Sequence, residues 1–197
     1  MRRRPLLLFD CDGSLLASED ELAPRCFDEA LSELSGRLWP PDVFVSLEPG
    51  QTVRRAAREF GVDPEAWVQR SLELYFDRFD DDAASGWRLL EDVEPTLRRL
   101  ALDGYRLALV SARPEAIVRF RLERLGIGGY FARGTGAFGC QADARDDLLR
   151  LALWRSACTP RRAVLVTDVS RDVCGLTVVA IRSLAELPAL LSERHAA

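Results

Sequence analysis

The chain has 197 residues, a formal charge of −4, 48% hydrophobic and 29% charged residues, a globular composition that excludes wholesale disorder and bounds it at one to one-and-a-half ordinary domains. All 27 basic residues are arginine, which excludes chemistry through a lysine amine, Schiff bases included, and the weakly acidic balance gives no basic footprint for nucleic acid. The one histidine, His195, lies in the tail, so Ser–His and Cys–His nucleophile pairs and histidine-built metal sites lack their central residue. What remains for chemistry is carboxylates, hydroxyls, thiols and arginine.

In chain order, Leu6 to Phe9 is a short unbroken apolar run that stops at Asp10-Cys11-Asp12-Gly13-Ser14, the pattern of a buried strand running into a polar turn. Residues 15–84 then read as helix after helix. Pro24 to Ser35 carries Phe27, Ala30, Leu31 and Leu34 at helical spacing, and Gln51 to Phe60 carries Val53, Ala56, Ala57 and Phe60 before Gly61. Asp63-Pro64 caps a third helix whose face is Trp67, Val68, Ser71, Leu72, Tyr75, Phe76 and Phe79. That aromatic stripe reads as packing. A polar linker, Asp80 to Gly86, follows.

Three further apolar runs resemble the first: Arg106 to Val110 ending at Ser111, Ala163 to Val166 ending at Thr167-Asp168, and Thr177 to Ile181 ending at Arg182. Helices are predicted between them over Pro95 to Leu102, Pro114 to Leu125 and Asp146 to Ala157. Apolar runs without alternation, separated by helices, predict an α/β fold: a Rossmann-like parallel sheet flanked by helices, with a helical insertion after the first strand. The expected division is a core of residues 1–14 and 85–197 and a helical cap of residues 15–84. The stretch Gly134 to Gly139 lacks dinucleotide-binding spacing and reads as a mobile loop.

Cys11, Cys26, Cys140, Cys158 and Cys174 are odd in number and widely spaced, which fits a reducing compartment rather than a disulfide scaffold. The apolar run after Arg2-Arg3-Arg4 ends too soon for a secretory signal, and no stretch reaches membrane-spanning length. A soluble, cytoplasmic protein without membrane or nucleic-acid partners is the expectation. The sequence does not indicate its oligomeric state.

Asp10, Ser111 and Asp168 each fall just past the end of a predicted parallel strand, where open α/β sheets bind ligands. Asp10 and Asp12 are separated by one residue, and two acids so close repel each other unless a counter-ion or a reaction uses them. Leu7-Leu8-Phe9-Asp10-Cys11-Asp12-Gly13-Ser14 resembles the first motif of the haloacid dehalogenase superfamily, an apolar strand followed by Asp-x-Asp-Gly-Thr/Ser. Leu109-Val110-Ser111 is similar to its second motif, and Thr167-Asp168-Val169-Ser170-Arg171-Asp172 resembles its fourth. With the helical insertion, the chain looks like the phosphoglycolate phosphatase-like branch.

The resemblance implies a phosphatase acting on a small phosphorylated metabolite. Asp10 would be the nucleophile, Asp12 the acid and then the base, and Ser111 a phosphoryl ligand. Asp10, Asp168 and the main-chain carbonyl of Asp12 would hold Mg²⁺, with Asp172 supporting the metal through water or a hydrogen bond. The acid at position 12 argues against dehalogenation, and the absence of lysine against the phosphonatase branch. The third motif, a lysine, is missing. Arg145 stands where it would fall, and two readings stay open: a substitute cation, or a solvated residue beside Asp146 and Asp147. Between Asp172 and Thr177 there is no room for the helix the family places there, so either the last crossover is short or the last apolar run is not a standard strand. A phosphomutase and a catalytically weakened binding or regulatory protein are the alternative readings.

Overall fold

A computed structural model describes residues 4–18, 20–40, 43, 52–80, 86–168, 175–181 and 183–196. Five parallel strands form the sheet: β1 (Leu6–Asp10), β4 (Arg106–Ser111), β5 (Ala137–Phe138), β6 (Ala163–Thr167) and β7 (Thr177–Ala180). Their order is β5-β4-β1-β6-β7, which puts β1 at the centre. A strand buried on both faces sends alternate side chains to opposite sides. Leu7 and Phe9, Leu107 and Leu109, and Val164 and Val166 point into one apolar cluster, covered by α4 (Val93–Leu102), α5 (Glu115–Arg124) and α7 (Leu187–Ala196). Leu6 and Leu8, Ala108 and Val110, and Ala163 and Leu165 point into the other, covered by Leu148, Leu149, Ala152 and Leu153 of α6 (Arg145–Arg155). This is the α/β core that the unbroken apolar runs predict.

The last apolar run is a standard strand, since β7 pairs in parallel with β6 from Val164↔Thr177 to Thr167↔Ala180. Only residues 168–176 connect them, fewer than the dozen or so that a helical crossover needs. Of the two readings left open, the short crossover is therefore the one observed.

The helical segment inserted after β1 comprises α1 (Leu22–Ser35), α2 (Val53–Phe60) and α3 (Pro64–Arg78). It is entered and left through a two-stranded antiparallel ribbon of β2 (Leu16–Ser18) and β3 (Trp87–Leu89). The ribbon is absent from the sequence reading because three residues are too few to show a period. Asp63 caps α3 as expected, accepting a hydrogen bond from the Ala66 amide at 2.8 Å, with Pro64 in the first turn. Trp67 anchors the segment. It is fully buried, its Nε1 donates to the Phe27 carbonyl at 2.8 Å, and its ring meets Phe27 and Phe60 edge-on.

Most of the α3 stripe serves packing, as predicted, although Phe76 stays 45% exposed. Phe79 and Phe76 meet Phe120 of α5 edge-on at 4.7 and 5.3 Å, and Phe79 stacks on Trp87. Helix α5 is thus apolar on two faces: Val118 and Leu122 face the sheet, whereas Ile117 and Phe120 face the inserted helices. Gly134 to Gly139 is not simply a loop. Its Ala137–Phe138 is edge strand β5, and Cβ atoms at Gly136 and Gly139 would strike the Leu109 and Ala112 carbonyls. Glycine permits this close approach of two backbones.

Because Trp67 both fills the centre of the inserted segment and satisfies a buried carbonyl, Trp67→Ala should lower stability by about 3–5 kcal/mol. Chemical denaturation would measure it, and a loss below about 1 kcal/mol would mean that another side chain holds these helices together.

Candidate active site

Parallel register brings the polar strand ends together. Phe9 of β1 pairs with Leu109 and with Val166, and Asp10 with Val110. Ser111 is therefore one residue beyond the partner of Asp10 on one side. Thr167 and then Asp168 follow the partner of Phe9 on the other. The chain after Asp10 turns back at once: the Leu15 and Leu16 amides both donate to the Cys11 carbonyl at 3.1 Å, and the Gly13 amide donates to the Leu16 carbonyl at 3.0 Å. Gly13 sits at φ +82°, and a Cβ there would collide with the Asp168 carboxylate. The glycine thus allows the β6 acid to lie directly against the turn after β1. Cys11 faces away into the core, and burial and Asp12 push its thiol far up, which makes it a small apolar residue rather than a reactive one.

Each carboxylate of the first motif has an arginine. The Arg145 guanidinium hydrogen-bonds and ion-pairs with Asp10. Arg145 opens α6, which packs on β4 and β5, so the sheet order itself delivers this cation to the end of β1. The solvated reading of Arg145 does not describe this geometry, since its side chain is 33% exposed and engaged with Asp10. Asp12 is held by two further arginines. Arg113 Nε donates to its Oδ2 at 2.9 Å, and Arg121 Nη1 of α5 lies 3.6 Å from its Oδ1. Ser111 is buried, and its Oγ accepts from the Arg113 amide at 3.1 Å. Asp168 is exposed, with the Thr167 hydroxyl 3.4 Å from its Oδ1. Asp172 lies outside the described residues.

Burial is the largest influence on Asp10 and pushes its carboxyl above the ordinary range. Arg145 opposes this without cancelling it, and the charges of Asp12 and Asp168 add to the rise. Asp10 and Asp168 are thus acids close enough to repel. Carboxylate and carbonyl oxygens are donors of the hard kind that suit a hard divalent cation. Among the described residues, no group of three or more His, Cys, Asp or Glu side chains is placed to hold a metal by itself.

Sequence reasoning missed Arg113, Arg121 and Asp143. For Arg121 the available signal was its place four residues after Ile117, on the face of α5 that meets the inserted helices. Asp143, two residues before Arg145, ties the inserted segment down. Arg54 of α2 reaches it at 3.1 Å, Arg58 also pairs with it, the Thr52 hydroxyl donates to its carbonyl at 3.1 Å, and the Arg54 amide donates to the Gly139 carbonyl. Arg25 and Arg55, by contrast, pair with Glu21 and Glu59 on their own outer helix faces.

A family model described as haloacid dehalogenase-like hydrolase matches residues 7–185. The chain belongs to that family. It is 33% identical over 129 residues to a phosphoglycolate phosphatase of Pectobacterium atrosepticum, covering 64% of this chain and 55% of that protein. It is 28% identical over 175 residues to the tyrosine-protein kinase PtkA of Mycobacterium tuberculosis, covering 86% and 57%. The chain therefore spans little more than half the length of these relatives. Among solved structures, the fold is similar to CbbY from Rhodobacter sphaeroides in complex with phosphate, with TM-score 0.64, 20% identity, and 93% and 96% of the two chains covered. It is also similar to a HAD phosphatase from Thermococcus onnurineus, with TM-score 0.56, 20% identity, and 95% and 97% covered. In this haloacid dehalogenase-like chain, no helix among the described residues is long and apolar enough to cross a membrane.

Two outcomes are expected. Asp10 binds its proton more tightly in the folded state than in the unfolded one, so folding stability falls as pH rises from the usual carboxylate range through the raised folded value. Asp10→Asn removes that loss. The variant should melt higher than the parent at neutral pH, with the gap closing as pH falls into the ordinary carboxylate range; a gap independent of pH would contradict the burial effect. The Asp143 pairs are about half exposed and worth at most about 1 kcal/mol each. Asp143→Asn should therefore barely move the melting temperature while speeding amide hydrogen exchange in α2, and unchanged exchange there would show that the ion pairs do not hold the helix.

Proposed function

We propose that this chain is a Mg²⁺-dependent phosphatase that hydrolyses a small phosphomonoester through an aspartyl-phosphate on Asp10. The observation that carries this reading is the Asp10 carboxylate at the end of the central strand, paired with Arg145 and flanked by Asp12 and Asp168. An Asp10 oxygen attacks phosphorus, and the bond from phosphorus to the ester oxygen breaks. Asp12 gives its proton to the leaving oxygen. The same carboxylate then takes a proton from water as the water attacks phosphorus, releasing inorganic phosphate and restoring Asp10.

The Ser111 hydroxyl, whose oxygen accepts from the Arg113 amide and whose proton is left to donate, would face developing negative charge on the phosphoryl oxygens. Arg145 takes the place of the absent lysine: its planar fork holds the nucleophile in the resting state and can accept a phosphoryl oxygen during transfer. Asp10, Asp168, the Asp12 carbonyl and Asp172 would hold Mg²⁺, which supplies charge neutralisation at the phosphoryl group. Residues 15–84 would act as the cap that shields the reaction from bulk water, with Arg54 and Arg58 on Asp143 keeping α2 against the strand ends. The names of the phosphoglycolate phosphatase relatives support a small phosphomonoester as the substrate class. The presence of a cation on Asp10 favours turnover over a binding-only role.

Phosphate release from a panel of small phosphomonoesters should require Mg²⁺ and vanish in Asp10→Asn. Arg145→Met should lower kcat by about 10²–10³, whereas Arg145→Lys should retain part of the rate. Release that persists in Asp10→Asn would exclude this carboxylate as the nucleophile.

A further inference from the structure

Arg121 is fully buried on α5, yet among the described residues neither Nε nor either Nη has a hydrogen-bond partner. Its ion partner among the described residues is Asp12, at 3.6 Å, and its guanidinium lies over the Trp87 ring at 5.4 Å. Two more buried polar atoms around it are also without partners, Trp87 Nε1 and the Tyr75 hydroxyl. They come from three separate elements: Arg121 from α5, Trp87 from β3 and Tyr75 from α3. The Tyr75 hydroxyl feels both Arg121 and Arg113, and also Asp20, whose Oδ2 is likewise unpartnered.

A buried guanidinium brings five N–H donors and cannot shed its charge. Asp12 and Asp20 contribute two unpartnered carboxylate oxygens. Were each to take one N–H, the guanidinium and the Trp87 indole would still have donors to spare. Leaving charged donors buried and unmet is costly. A core that served stability alone would not keep arginine here. What the cluster lacks, among the described residues, is a full set of oxygen acceptors carrying negative charge.

We propose that Arg121, Trp87 Nε1 and the Tyr75 hydroxyl form a buried oxyanion-binding subsite beside Asp12, built to take a carboxylate or a second phosphoryl group. The subsite is separate from the phosphoryl position at Asp10, Ser111 and Arg145, and it joins that position through Asp12, whose side chain is 36% exposed while Arg121 is wholly enclosed. It rests on the phosphatase reading only in taking the oxyanion to be part of a substrate. The anion would then lie on the leaving-group side, next to the residue that handles the leaving oxygen. Both the inserted helices and the core contribute donors, so a bound oxyanion also bridges the two.

Calorimetric titration of the full chain without Mg²⁺ tests the subsite with two probes, malonate for a carboxylate and inorganic phosphate for a phosphoryl group. Arg121→Met should weaken at least one probe by about thirtyfold or more. Trp87→Phe, which keeps the ring and removes the N–H, should weaken the same probe by about tenfold. Loss confined to malonate assigns a carboxylate; loss of phosphate binding in Arg121→Met, with Arg145→Met as the comparison for the other position, assigns a phosphoryl group. Parent-like affinity for both probes in Arg121→Met, or no binding of either probe by the parent, overturns the proposal. So does a lower melting temperature with unchanged affinity, since that marks a purely structural arginine. Arg121-dependent binding in a protein that releases no phosphate from any ester would keep the subsite and remove the phosphatase reading instead.

Discussion

Asp10 ends a strand whose preceding residues, Leu6 to Phe9, are almost entirely buried, so its carboxylate stands at the dry edge of the sheet with Asp12 and Asp168 close by. Negative charge gathered there is costly by itself, and the rise in the Asp10 carboxyl shows that the cost is not fully offset. Much of the surrounding architecture supplies compensation. Helix α6 brings Arg145 to Asp10, the turn after β4 brings Arg113 to Asp12, and α5 brings Arg121 to its other oxygen. A site held in this state keeps like charges together at some expense of folding stability.

An all-arginine chain shapes how that compensation works. Lysine loses its proton readily when buried, whereas arginine stays charged. The fold can therefore enclose Arg121 completely and still present a cation to Asp12. The planar fork also lets one side chain meet two groups, as Arg119 does by reaching Glu115 and the Phe131 carbonyl. Arginine in this protein both satisfies surface acids and furnishes the cations of the site.

The inserted helices are coupled to the site at two points. On one side, Phe120 and Ile117 of α5 enter the aromatic cluster formed by α3 and Trp87, so the helix that carries Arg121 is shared between the sheet and the insertion. On the other, Asp143 receives Arg54 and Arg58 just ahead of Arg145. Helix α2 is thereby tied to the loop that delivers a cation to Asp10. These contacts join segments far apart in the chain and are made by residues that look like ordinary helix-surface arginines in a linear reading.

The parallel core, the inserted helices and the carboxylates at the strand ends were legible because each rests on a local pattern. An unbroken apolar run buries both faces of a strand, helical spacing makes one apolar stripe, and Asp-x-Asp-Gly marks a turn where two acids are kept. Arg145 was legible only as a position, since a cation beside two acids at a helix start reads equally as solvated or as part of a site. The ribbon β2–β3 and strand β5 were too short to show a period. Arg113, Arg121, Trp87 and Asp143 gained their meaning only when β4, α5, β3 and the loop before α6 came together. The sequence by itself determined which residues could carry charge chemistry and which strands would present them. The tertiary structure decided which arginine met which acid, because ion pairing depends on distances that only the packing of the sheet and the inserted helices sets.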